Sequence, residues 1–183
     1  MLNQTLIARR LSHGRIELRA TSEQFAPLIH EAVCRDGARL TYYLPWITNL
    51  YSLSEVIHSQ REAASQFEHF HDELRYILFP QDSSQFLGTI SLIKGENVPF
   101  SLGYWLSHDA LGCGYITEAV NLLSEYAHHL LSIDQIQIRV AASNGPSRRV
   151  AQRCGYQILD GFCGWDILGD GREERLLAYE KKW

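Results

Sequence analysis

No apolar run in the 183-residue sequence approaches the length of about 20 residues that spans a bilayer, so a membrane-embedded helix is excluded. The opening MLNQTLIARRLSHG has no apolar core behind a basic start, so no secretory signal is expected. Positive charge is not in excess: 17 Lys and Arg stand against 21 Asp and Glu, a formal charge of -4. Phosphate backbones need a basic face, so neither nucleic acid nor a membrane surface is the expected partner. Cysteines are few (Cys34, Cys113, Cys154 and Cys163) and show no paired spacing. That argues against a disulfide framework and for free, packing-type thiols in the cytosol. There is no internal repeat, no low-complexity tract and no shift of composition that would mark a second domain. What is there is 45% apolar and 21% charged, which suits one globular domain over residues 1–183.

Periodicity orders the chain. RIELRA at Arg15–Ala20 alternates as a strand. Thr21 or Ser22 can cap the helix that follows, with Phe25, Leu28, Ile29, Ala32 and Val33 on its apolar face and Pro27 in its first turn. LTYYLPW ends that helix before Pro45 and gathers Tyr42, Tyr43 and Trp46, which serve either as core or as one wall of a substrate pocket. Ser52 and Glu55 have capping-box spacing for a second helix running to about Phe70, whose weak apolar stripe suggests a surface or lid element. Strands are expected at Leu74–Phe79 and Phe86–Ile93 around the turn PQDSSQ, with a further turn from Gly95 to Pro99. A strand at Gln135–Ala142 alternates through Ile136, Ile138 and Val140. Asn144-Gly145-Pro146-Ser147 opens a short helix that buries Val150 and Ala151 and stops at Gly155. Two strands close the chain, at Tyr156–Leu168 and Glu174–Tyr179, joined by Gly169-Asp170-Gly171. The order predicts an α+β (mixed α/β) sheet with helices on both faces.

The organising stretch is Leu102–Ala119, LGYWLSHDALGCGYITEA. An aromatic strand gives way to Gly112-Cys113-Gly114, and a helix then carries Ile116, Ala119, Val120, Leu123, Ala127 and Leu130 three or four apart. A glycine turn at a helix start leaves backbone N–H groups unpaired, and with the helix dipole these suit a phosphate or diphosphate. The turn follows several strands and no βαβ unit opens the chain, which argues against a Rossmann dinucleotide binder. His69-x-His71 and His128-His129 lack partners at metal-ligand spacing, so no metal is expected.

Three motifs fall in order: GYWL at Gly103, GxGxxTEA at Gly112 and NxxSxxVxxxxGY at Asn144. Together with LRATSEQFAPLIHEAV and the LPW at Leu44, they resemble the GCN5-related N-acetyltransferases (GNAT), and within them the RimJ/RimL branch that acetylates N-terminal amines of ribosomal proteins. The resemblance implies a mostly antiparallel, seven-stranded sheet splayed between two neighbouring strands. It departs at Leu111, where the family has Arg or Gln, at Ile116, where it has a small residue, and at QILDG, where Asp160 replaces a Glu one residue earlier.

The donor implied is acetyl-CoA. Its diphosphate would lie on the amides of Gly112, Cys113, Gly114, Tyr115, Ile116 and Thr117, and its pantetheine arm along Gly103–Leu106, with Asn144 on the other side. A backbone N–H of Trp105 or Leu106 would serve the oxyanion, Ser147 would protonate the leaving thiolate, and Asp160 or Glu118 would take the proton of the amine. Each of these three side chains also has a plain structural reading, as cap, turn residue or dipole partner. Arg149, with Arg148 and Arg153, is placed to meet the 3'-phosphate or solvent. Tyr115 and Tyr126 read as packing residues, and Cys113 has no base set against it for a covalent role. Tyr43 and Trp46 would border the acceptor. The acceptor is expected to be a protein N-terminus; a small amine such as a polyamine or aminoglycoside, and a non-catalytic CoA-binding module, stay open as alternatives. The protein would act as a monomer or homodimer.

Overall fold

The computed structural model describes residues 7–95, 99–161 and 163–183. The expected turn at Gly95–Pro99 falls on residues 96–98, outside them. Among the described residues there are nine strands: β1 (Arg10–His13), β2 (Ile16–Ala20), β3 (Glu73–Pro80), β4 (Gly88–Ile93), β5 (Phe100–Leu106), β6 (Gln135–Ala141), β7 (Gln157–Ile158), β8 (Trp165–Ile167) and β9 (Glu173–Lys182). Four α-helices join them: α1 (Ala26–Tyr43), α2 (Leu53–His69), α3 (Tyr115–Leu131) and α4 (Gly145–Arg153). The expected seven strands become nine for two reasons. A short β1 pairs back on β2 through the turn at Gly14, and the long strand expected over Tyr156–Leu168 divides into β7 and β8.

The sheet runs β1-β2-β3-β4-β5-β6-β9-β7, with β8 also on β9. Every pairing is antiparallel except β5 with β6. That parallel pair is in register only at Phe100–Ile136 and Ser101–Gln137. Beyond it β5 stays on β4 as far as Leu106, and β6 stays on β9 as far as Ala141. The sheet therefore opens into a gap between the C-terminal halves of β5 and β6.

Alternation along the central strands feeds two cores. In β3, Leu74, Tyr76 and Leu78 join the core under α3 and α4, while Ile77 and Phe79 join the core under α1 and α2. The capping box of α2 forms as expected, with Ser52 and Glu55 each accepting the other's N–H. Its stripe of Val56, Gln60, Ala63 and Phe67 is buried, so α2 is a packed surface helix and not a lid. The expected cap of α1 does not form. Thr21 Oγ1 donates to Gln60 Oε1 at 2.5 Å, and Ser22 makes no cap bond before a 3-10 turn at Glu23–Phe25. Gly88 opens β4 under close approach: a Cβ there would lie 2.2 Å from Trp105 O and 2.9 Å from Leu106 Cα.

Asp36 ties α1 to the segment after β5. Its buried carboxylate accepts from His108 N at 2.7 Å and Arg35 Nε at 3.1 Å. Burial opposes its ionisation, but the hydrogen bonds from Arg35 and His108 and the charges of Arg35 and Arg39 outweigh it and hold the carboxyl below its ordinary value. A depressed folded value contributes stability above the unfolded value and loses it as the pH falls through the folded one. Asp36→Asn should therefore lower the thermal midpoint at pH 7, and the difference from wild type should close as the pH falls below about 4, followed by circular dichroism.

Candidate active site

The turn before α3 is built by two residues in the left-handed region, Gly112 at φ 75° and Gly114 at φ 82°. Gly114 is the N-cap of α3 and carries no side chain to cap it. Leu111 N donates to His108 O at 3.1 Å, and the amides of Thr117 and Glu118 both donate to Gly114 O, at 3.1 and 3.2 Å. Among the described residues no protein acceptor meets the amides of Gly112, Cys113, Gly114, Tyr115 or Ile116. A Cβ at Gly112 would touch nothing within 4 Å, so the turn is open on that side. A diphosphate fits that arrangement. The expected cradle is one residue shorter than its sequence motif, because Gly114 O already occupies the Thr117 amide. Ile116 is buried in the core beneath, which explains how a large residue is tolerated there, and Leu111 is exposed.

The gap has a polar edge. Ser107 N donates to Leu87 O across the β4 side at 2.8 Å. Main-chain groups alternate along a strand, so the N–H and C=O of Leu106 turn to the opposite edge, into the gap. Leu106, and not Trp105, therefore turns its N–H into the gap. Trp105 buries its ring against Phe86, with centroids 5.6 Å apart. Arg39 reaches over from α1 and donates to Leu106 O at 2.7 Å.

Across the gap, Asn144 caps α4 by accepting from Ser147 N at 3.2 Å. Ser147 Oγ lies 3.0 Å from Tyr104 OH, which also donates to Ser147 O at 3.3 Å. Burial pushes the Tyr104 hydroxyl up to about 12, so it stays protonated at neutral pH. Motif reading includes Tyr104 within GYWL without assigning it a role; its contact with α4 joins residues 43 apart in sequence.

The three expected proton-transfer residues do not converge. Glu118 turns toward the β1–β2 turn, where Oε1 accepts from Arg15 Nε at 2.8 Å and Oε2 from Arg15 N at 3.2 Å. That ion pair, not proton transfer at the gap, is its structural role. Asp160 is exposed just past β7 and has no hydrogen-bond or ion-pair partner among the described residues. A carboxylate that sequence reading passes over, Glu174 of β9, holds the chain just after β6. It accepts from Ser143 N at 2.7 Å and Ser143 Oγ at 2.5 Å, and Tyr43 OH lies 3.3 Å from the same Ser143 Oγ. Tyr43 thus joins the wall beyond β6, with Tyr42 edge-on to it at 4.8 Å, and Trp46 is half exposed nearby in sequence. Arg148 is held by the fold, donating to Tyr179 OH and Ala142 O, whereas Arg149 and Arg153 are exposed. Tyr115 is half-buried under Arg15, and Tyr126 is buried, donating no role to the gap.

A cleft of about 360 Å³ lies between α1 and the segment after β5, lined by Arg35, Asp36, Ala38, Arg39, His108 and Asp109. No group of three or more His, Cys, Asp or Glu among the described residues could hold a metal ion. All four cysteines are free thiols, and among the described residues no helix is long and apolar enough to cross a membrane.

Comparison with known proteins agrees with this geometry. The family model for the acetyltransferase (GNAT) domain matches residues 15–157. The probable N-acetyltransferase YjcK of Bacillus subtilis (strain 168) is 33% identical over 88 residues, 46% of this chain and 49% of that protein, so the matched stretch spans about half the length of that relative. The ribosomal-protein-serine acetyltransferase of Escherichia coli (strain K12) is 24% identical over 148 residues, 80% of each chain. The solved structure of RimL, a ribosomal L7/L12 alpha-N-protein acetyltransferase in complex with coenzyme A, shares the fold with a TM-score of 0.84 at 22% identity, over 94% of this chain and 97% of that one. With a glycine cradle, a splayed parallel pair and a family match across most of its length, this chain belongs to the acetyltransferase (GNAT) family.

Proposed function

We propose that this protein transfers the acetyl group of acetyl-CoA to the N-terminal α-amine of a protein, with a ribosomal protein as the favoured class of acceptor. The observation that carries the reading is the opening between β5 and β6, bordered by the Leu106 amide on one side and the Ser147–Tyr104 hydroxyl pair on the other. Bound there, acetyl-CoA supplies an activated acyl carbon and a thiolate leaving group. The chain's own residues have three tasks. The Leu106 N–H receives the charge that develops on the carbonyl oxygen. Ser147 gives its proton to the sulfur as the C–S bond breaks, and Tyr104 holds the Ser147 hydroxyl in place. The proton that the attacking amine loses passes to water, because Asp160 is exposed beyond β7, on the far side of β9 from the gap. An α-amine, with a pKa of about 7.7–8.0, is substantially neutral near pH 7, so a weak and exposed acceptor suffices. Lysine, near 10.4, would need a stronger one.

The names of the E. coli relative and of the RimL structure support a protein acceptor. The test is incubation with labelled acetyl-CoA and a cell extract, followed by mass spectrometry of protein N-termini. Label on N-terminal α-amines is the expected result. Label on small molecules alone would overturn the acceptor, and coenzyme binding without any transfer would favour a non-catalytic module.

A further inference from the structure

The cradle before α3 lacks the side chain that its family carries at position 111, yet its amides from Gly112 to Ile116 meet no protein acceptor among the described residues. The reason lies 98 residues upstream, in the turn between β1 and β2. Arg15 Nη2 donates to Cys113 O at 3.0 Å, and the same guanidinium holds Glu118 through Nε at 2.8 Å. Its main chain is fixed as well: Arg15 O accepts from Gln81 N at 2.8 Å, and Arg15 N donates to Glu118 Oε2 at 3.2 Å. The guanidinium also lies 5.2 Å from the centroid of the Tyr115 ring. Arg15 therefore bridges the loop residue before Gly114 and the first turn of α3.

The peptide between Cys113 and Gly114 is trans, as every described peptide is, so its C=O and N–H point in opposite directions. Holding the Cys113 carbonyl on the Arg15 side turns the Gly114 N–H to the other side, where no protein acceptor waits among the described residues. Gly114 has no Cβ to hold that peptide by sterics, and both flanking glycines have wide conformational freedom. Without an external clamp the peptide could flip and present its carbonyl oxygen to an anion.

We infer that Arg15, latched by Glu118, is a positioning residue that pre-orients the amides of the diphosphate cradle. It takes over from the β1–β2 turn the task that a side chain at position 111 cannot perform. The inference rests on the proposed use of acetyl-CoA, and the experiment separates the two. Coenzyme A binding is measured by titration calorimetry, and turnover with acetyl-CoA and with S-acetylpantetheine, which carries the thioester but no diphosphate.

Arg15→Ala should raise the Kd for coenzyme A and the KM for acetyl-CoA by about tenfold, the loss of one charge-assisted hydrogen bond, with kcat nearly unchanged. With S-acetylpantetheine the variant should match wild type. Glu118→Gln should weaken coenzyme A binding in the same direction, because it loosens the latch. Stronger binding in Glu118→Gln would mean that a freed guanidinium touches phosphate directly and would overturn the inference. Unchanged affinity in Arg15→Ala, or an equal loss with both donors, would overturn it as well. Failure of wild type to bind coenzyme A would overturn the donor assignment itself.

Discussion

Ser147→Ala is expected to lower kcat by about a hundredfold while leaving the KM for acetyl-CoA within a factor of two, because a positioned general acid contributes roughly that much. Ser147 reaches the gap through its hydroxyl, whereas its main chain caps α4 through Asn144. Alanine keeps the backbone N–H that Asn144 accepts from, so α4 and the cradle should survive the change. Tyr104→Phe removes only the partner of that hydroxyl and should cost about tenfold in kcat, the upper end of what a neutral hydrogen bond provides. The informative variant is the double one. If the two hydroxyls form one proton-delivery unit, Ser147→Ala with Tyr104→Phe is no slower than Ser147→Ala alone. Multiplying effects would show two independent roles, and an unaltered kcat in Ser147→Ala would remove that residue from the chemistry. The pH profile adds a sign. Burial raises the Tyr104 hydroxyl to about 12, so its ionisation should leave no inflection between pH 6 and 9. The rise in rate over that range should follow the neutral fraction of the acceptor's amine, with a pKa of about 7.7–8.0.

Gly88→Ala should be strongly destabilising. The added carbon would lie 2.2 Å from Trp105 O and 2.9 Å from Leu106 Cα, both main-chain atoms that no rotamer change can clear. Relief requires β4 and β5 to part by about 1 Å, at a cost of about 3 kcal/mol, the upper range for overpacking. For a chain of this size that lowers the thermal midpoint by about 6–12 °C. Activity should fall further than stability, by about a hundredfold at a temperature where the protein is folded, since a displacement of about 1 Å in a reacting group costs that much. Gly103→Ala is the control. Its Cβ would meet Ile93 Cδ1 at 3.4 Å, an ordinary contact, and its midpoint should stay within a few degrees of wild type. A midpoint unchanged in Gly88→Ala would refute the tight β4–β5 packing on which the Leu106 donor depends.

What could be read from the sequence was local. The glycine turn, the amphipathic face of α3 and the capping box of α2 all declare themselves within a few residues, because one turn of backbone determines them. The splay of β5 from β6 came through only as a resemblance, since no residue in either strand encodes where pairing stops. The contacts that build the site are distant. Ser147 meets Tyr104 across 43 residues, Ser143 meets Glu174 across 31 and Tyr43 across 100, and Arg15 meets Glu118 across 103. Glu118 illustrates the difference. Its place in the first turn of α3 makes it a plausible base or a plain dipole partner, and only the folded β1–β2 turn shows that an arginine holds it. Asp160 has the converse history: its motif suggests a site, and its exposed position after a two-residue strand gives it no neighbour that would tune it.

The seating of β9 bears on how the molecule is assembled. It lies between β6 and β7, so the amides of Ala142 and Leu159 find their acceptors, Arg175 O and Ala178 O, only after chain made later has threaded into the slot between strands made earlier. Those pairings close loops across tens of residues, and such closures are slow. On a translating ribosome the half of the sheet from β1 to β5 can therefore consolidate first, while Ser143 and its surroundings wait for Glu174 to emerge. The glycine turn before α3 and the Ser143–Glu174 contact would mature at different moments of synthesis, and a nascent chain halted before residue 173 would have the first without the second.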